Sequence, residues 1–116
     1  MFLWWRADDR RLGGSARAAI TDAALVFVSA ATAWEAAIKA ALGRLRYPDT
    51  IESGVVASGF EQLPITFTHA ECAAGLPSHH GDPFDRMLVA QAKVEDLTLV
   101  THDQRLAPYG VPVLWV

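Results

Sequence analysis

Three acidic side chains, Glu35, Asp85 and Asp103, stand where an alternating strand–helix chain would gather them. Glu35 opens the helix after the apolar run Leu25-Val26-Phe27-Val28, and Asp103 comes two residues after the run Leu97 to Thr101. Asp85 falls in the first turn of a long helix, behind Asp82 and Pro83. Open α/β sheets bind ligands at the carboxyl edge of their strands, so Glu35 and Asp103 are expected there. Asp85 joins them if its helix starts at that edge. Helical spacing aligns Glu35 with Ile38 and Leu42, and Asp85 with Val89 and Ala92, so both acids are expected to lean toward the core. Crowded carboxylates repel one another, and Mg²⁺ or Mn²⁺ would offset that repulsion. Such an ion can activate water for attack on a phosphodiester.

A plainer reading competes at each position. Thr32 to Glu35 fits a capping box, Asp82 fits an N-cap with Asp85 near the positive helix end, and Asp103 could cap its own short helix. Spacing alone favours the cap at each position; three acids at one edge bring the metal reading level with it. His79 and His80 are adjacent, a placing that rarely points two rings at one ion, so loop polarity is the expectation for both. His69 and His102 are isolated and are expected at the surface or beside a site. Gly13-Gly14-Ser15 lacks the lysine of a phosphate loop, and no Gly-x-Ser-x-Gly elbow occurs. The single cysteine, Cys72, excludes an internal disulfide and a cysteine zinc cage.

The elements that must position these acids follow from pattern and punctuation. Helices are expected over 15–21, from Ala33 to Leu42 with Thr32 as cap, over Pro48 to Ser58, from Thr66 or Thr68 to about Gly75, and over 83–96. Strands are expected at Leu25–Val28, Phe60–Ile65, Leu97–Thr101 and Val111–Val116, with a short helix over Asp103–Ala107. This alternation is that of an α/β fold with a parallel sheet covered on both faces. The 116 residues are expected to form one domain. No apolar run approaches the ~20 residues of a membrane span, and a cytoplasmic protein is expected. A net charge of −3 argues against coating nucleic acid through many phosphate contacts.

The order of local motifs adds a resemblance. Val28-Ser29-Ala30-Ala31-Thr32-Ala33-Trp34-Glu35-Ala36-Ala37-Ile38-Lys39 is similar to the strand-to-helix segment of PIN-domain ribonuclease toxins of the VapC type. His79-His80-Gly81-Asp82-Pro83-Phe84-Asp85-Arg86 resembles their most recognisable block, Leu99 to Asp103 their next acid-bearing strand, and Tyr109 to Trp115 their ending. The resemblance implies a three-layer α/β/α sandwich around a parallel sheet, with Glu35, Asp85 and Asp103 as three of four acids binding Mg²⁺ or Mn²⁺. It also implies supporting places for Thr101 and, less directly, Asp82. The implied activity is metal-dependent cleavage of RNA by a toxin, with Arg86, Lys39 and Arg44 as candidate phosphate contacts. The implied partners are a VapB-like antitoxin, seated in an apolar groove, and a second copy of the chain in a homodimer.

One departure stands at the start. Phe2-Leu3-Trp4-Trp5 matches the family's first helix, while the apolar strand and aspartate that usually precede it have no counterpart. A natural start upstream of Met1 is therefore expected, ahead of a genuinely short form, and impaired activity is expected of these 116 residues. The competing function is a non-catalytic module that binds and titrates an antitoxin.

Overall fold

A computed structural model describes residues 12–47 and 49–116. The expected helix at Phe2–Trp5 and the basic residues Arg6, Arg10 and Arg11 lie outside the described residues. The chain divides into two compact units, one ending at Pro64 and one running from Ile65 to Val116.

In the first unit the order is α1 (Gly14–Asp22), β1 (Phe27–Ser29), α2 (Ala30–Ala41), α3 (Ile51–Ala57) and β2 (Glu61–Leu63). β1 and β2 pair in parallel, with Phe27 opposite Glu61 and Ser29 opposite Leu63. Helix α2 begins three residues earlier than its sequence suggests. Its cap is Ser29, whose side chain accepts from the Ala31 N–H, so Thr32 caps nothing and Glu35 lies in the second turn. The capping-box reading of Glu35 is thereby corrected. A run of alanines extends the helix backward because alanine is the best helix former. The buried face of α2 is Ala31 and Ala36; Ile38 and Leu42 are exposed, so the expected lean of Glu35 toward the core is also corrected. The core of this unit is Ala36, Ile51 and Val55, with Val28, Ala33, Leu45, Tyr47 and Phe60 against it. Helix α3 is shorter than expected: Thr50 and Ser53 cap it reciprocally, and Gly59 ends it at φ 71°. That left-handed residue lets the Phe60 N–H reach back to the Val55 carbonyl and turns the chain into β2.

In the second unit the order is α4 (Phe67–Gly75), α5 (Pro83–Val94), β3 (Leu99–Thr101), a 3₁₀ helix (Gln104–Tyr109) and β4 (Val113–Trp115). β3 and β4 pair in parallel, Leu99 opposite Val113 and Thr101 opposite Trp115. Val89, Ala90 and Ala92 of α5 form a core with Leu76, Leu99 and Leu106, so the expected buried stripe behind Asp85 is present. Cys72 packs against this core. All four strands are shorter than their apolar runs. Parallel strands alternate with helices in each unit, as an α/β chain requires. No helix among the described residues is long and apolar enough to cross a membrane.

Two polar networks tie α4 to α5. His69 is 1% exposed, which corrects its expected place at the surface or beside a site. Its Nδ1 accepts from the Thr66 N–H at 3.1 Å, which leaves Nε2 to donate to Glu95 at 2.7 Å. Histidine thus takes the place glutamate usually holds in a capping box. The second network is Arg86. Its guanidinium donates to the carbonyls of Ala73 (2.8 Å), Leu76 (2.9 Å) and Pro77 (3.0 Å), and reaches the Tyr109 hydroxyl at 3.4 Å. Those first two carbonyls lie at the end of α4, where the helix runs short of amide partners; only Ala73 has one, the Leu76 N–H at 3.4 Å. Lysine has no planar fork with which to serve them together. Arg86→Lys is therefore expected to destabilise the protein by about 2–4 kcal/mol. Urea unfolding checks this, and a variant as stable as the parent would remove the clamp from the account.

Candidate metal centre

The long helix α5 starts with a strong local signal. Asp82 accepts from the backbone N–H groups of Phe84 (2.8 Å) and Asp85 (3.2 Å), and Pro83 occupies the first helical position, where it gives up no needed hydrogen bond. Asp82 is therefore a cap, and the carboxylate it places in the first turn is that of Asp85. Asp103 is set by β3. Thr101, 9% exposed at the strand's end, accepts from the Asp103 N–H at 3.1 Å, and Asp103 in turn caps the 3₁₀ helix through the Arg105 N–H. Capping and chemistry are not exclusive here, since a carboxylate that caps with one oxygen has further lone pairs to offer.

Between these two acids lies His80, which the sequence reading assigned to loop polarity. That assignment is corrected: the side chain is 9% exposed, and its Nε2 stands 2.9 Å from Asp85 Oδ2 and 3.6 Å from Asp103 Oδ2. Donor atoms of His80, Asp85 and Asp103 all lie within 4.8 Å of one another. The backbone of His80 is fixed as well, its N–H donating to the Tyr109 hydroxyl at 3.0 Å. The neighbouring His79 ring meets Tyr109 edge-on, centroids 5.1 Å apart. His80 could have been singled out in the sequence only by its distance of five residues before Asp85, across a loop whose path the sequence does not define.

The two acids have opposite electrostatics. Burial pushes the Asp85 carboxyl above its ordinary value, with the nearby charges of Asp82 and Asp103 adding to the effect and the His80 contact opposing it. Asp103 is held down to about 2, first by the side-chain hydrogen bonds of Arg105. Arg105 Nε lies 2.9 Å from Oδ1 and Nη2 2.8 Å from Oδ2, a two-point grip. The sequence reading did not weigh Arg105.

The remaining candidates have surroundings of their own. Glu35 belongs to the first unit and pairs with Lys39 one turn on, 3.7 Å away, an exposed pair of the kind that adds little stability. Arg44 is exposed past the end of α2. Arg86, expected as a phosphate contact, is committed to the backbone carbonyls described above. His102 is exposed.

The Asp103–Arg105 pair has a defined pH sense. A depressed carboxylate contributes stability in full above the unfolded value, near 4, and loses it as pH falls toward about 2. Arg105→Gln is expected to return the Asp103 midpoint toward the ordinary carboxylate range and to move acid unfolding to higher pH. Carboxyl-carbon NMR titration reads the midpoint directly; an unchanged value would show that Arg105 is not its cause.

Comparison with known proteins agrees with this architecture. The family description "PIN domain" matches residues 1–111. The chain is 34% identical over 112 residues to "Ribonuclease VapC22" of Mycobacterium tuberculosis (strain ATCC 25618 / H37Rv), an alignment covering 94% of this chain and 86% of that protein. With its parallel strands, alternating helices and Asp-Pro-Phe-Asp-Arg block, the chain belongs to the PIN-domain family, among proteins of the VapC type.

Proposed function

We propose that this protein is the toxin of a toxin–antitoxin pair and acts as a metal-dependent endoribonuclease. The observation that carries the reading is the convergence of His80, Asp85 and Asp103 donors within 4.8 Å, at the start of α5 and the end of β3. An octahedral ion with bonds of about 2.1 Å separates neighbouring donors by about 3.0 Å and opposite ones by about 4.2 Å, and the 2.9 Å and 3.6 Å separations of His80 from the two acids lie near the spacing that Mg²⁺ or Mn²⁺ would take. When bound, the cation would activate a water and offset charge on the leaving oxygen of an RNA phosphodiester.

The chain's own residues do the rest. Asp82 and Pro83 fix the start of α5, so Asp85 is presented without searching for a rotamer across a frayed end. Thr101 holds the backbone of Asp103. Val89, one turn on from Asp85, and Leu106, three residues past Asp103, are anchored in the core of this unit. Glu35 enters the reading through its sequence motif, and Lys39 and Arg44 are proposed phosphate contacts on the same ground. Under this reading Asp85→Asn and Asp103→Asn each lower RNA cleavage by at least ~100-fold while the circular dichroism spectrum is retained. Chelation by EDTA has the same effect. Cleavage that persists in EDTA, or in both variants, would sink the proposal.

A protein partner is supported by the outer face of α2. Trp34 and Leu42 are each 61% exposed and Ile38 lies between them at helical spacing, an apolar stripe that an amphipathic segment of a VapB-like antitoxin could cover. The chain is proposed to form a homodimer as well. Leu42→Asp should weaken antitoxin binding by about tenfold or more while leaving the fold intact. Calorimetry reads the affinity and light scattering the mass; unaltered affinity would move the antitoxin to another surface.

A further inference from the structure

We propose that His80 is a nitrogen ligand of the divalent cation, and that this donor makes the centre prefer Mn²⁺ to Mg²⁺. The proposal rests on the reading of the cluster as a metal centre and adds to it a ligand of different chemistry from the acids.

Position is the first argument. His80 Nε2 stands 2.9 Å and 3.6 Å from one oxygen of each acid, close to the ~3.0 Å between adjacent corners of an octahedron. The donor atoms of all three residues lie within 4.8 Å of one another, near enough for one ion to be placed among them. The second argument is immobilisation. The ring is nine-tenths buried, the His80 N–H is held by Tyr109, and the Pro77 carbonyl three residues earlier is held by Arg86. A histidine serving loop polarity would need neither burial nor clamps. Ordering a ligand before the ion arrives removes that entropy cost from binding.

The third argument is donor type. Mg²⁺ takes oxygen ligands and keeps several waters, whereas first-row transition ions accept imidazole nitrogen readily. An Asp-Asp-His corner therefore favours the transition ion of the pair. The other histidines have different surroundings. His69 has both ring nitrogens engaged with Thr66 and Glu95, and His102 is exposed.

Pulsed EPR of the full chain loaded with Mn²⁺ tests this directly, because nitrogen bound to the ion modulates the electron spin echo. The expected spectrum shows ¹⁴N coupling from one directly bound imidazole, lost in His80→Gln and kept in His79→Gln and His102→Gln. Calorimetry with Mn²⁺ and Mg²⁺ separately should give a Mn²⁺ affinity reduced about tenfold or more in His80→Gln, with a smaller change for Mg²⁺. Wild-type protein that binds Mn²⁺ without ¹⁴N coupling, or coupling that survives in His80→Gln, overturns the ligand role and leaves the acidic centre standing. Mn²⁺ binding unaltered by Asp85→Asn and Asp103→Asn overturns the centre itself. If His80→Gln does not fold, the wild-type spectrum still decides whether an imidazole is bound. Loss of the signal in His79→Gln or His102→Gln would assign it away from His80.

Discussion

The second unit depends on one cation that is already part of the protein. Arg86 projects back from the start of α5 and gathers the carbonyls of Ala73, Leu76 and Pro77 at the end of α4 and just past it, adding to the backbone N–H groups that Ala73 and Pro77 already accept. Buried or half-buried carbonyls left unpaired are costly, each by about 1–3 kcal/mol, so the loop between α4 and α5 has one favourable path rather than many. That path carries His80 back over the start of α5, one turn from the acid it meets. Tyr109 closes the arrangement from the 3₁₀ helix by taking the His80 N–H. The position of a candidate ligand is thus a consequence of how a helix end is satisfied.

Charge at the cluster is arranged as a contrast. Asp85 is partly buried at the start of α5 and is pushed toward its neutral form, so its ionisation subtracts stability as pH rises through its raised value. Asp103 has a guanidinium on both oxygens and stays ionised with the opposite sense. Two carboxylates a few ångströms apart would otherwise share one problem, mutual repulsion in a poorly solvated place. Here one is relieved by Arg105 and the other is left facing His80.

The parts legible in the sequence are those fixed by local chemistry. Asp82, Pro83 and Asp85 announce a helix start whatever the rest of the chain does, and Thr101 with Asp103 mark a strand end passing into a cap. The α/β alternation was readable for the same reason, since each element carries its own periodicity. Residues whose role depends on a distant partner were misread. His69 looks isolated until Glu95, twenty-six residues on, is folded against it. Arg86 looks like a surface cation until the carbonyls of another helix are brought to it. Helix α2 is a different case: Ser29 and Thr32 both make acceptable caps, and the strong helix formers Ala30 and Ala31 between them let the helix start at the earlier one. The earlier start is consistent with the burial of Ala31, which is 1% exposed.

The Asp103–Arg105 grip bears on how such a centre could take up an ion. Arg105 is 68% exposed at its side chain while Asp103 is 20% exposed, so the guanidinium can leave for solvent at little cost whereas the carboxylate cannot. A surface ion pair of this kind is weakly held, because solvent screens the guanidinium. A divalent ion offers twice the charge and a shorter bond. Under the proposed metal reading, competition between the two favours the ion, and Arg105 would act as a replaceable counter-charge rather than a lock. Arg86 differs in kind: its guanidinium is spread over the backbone carbonyls of Ala73, Leu76 and Pro77, for which a cation at the cluster does not compete. Of these two arginines, only Arg105 would be displaced by an ion.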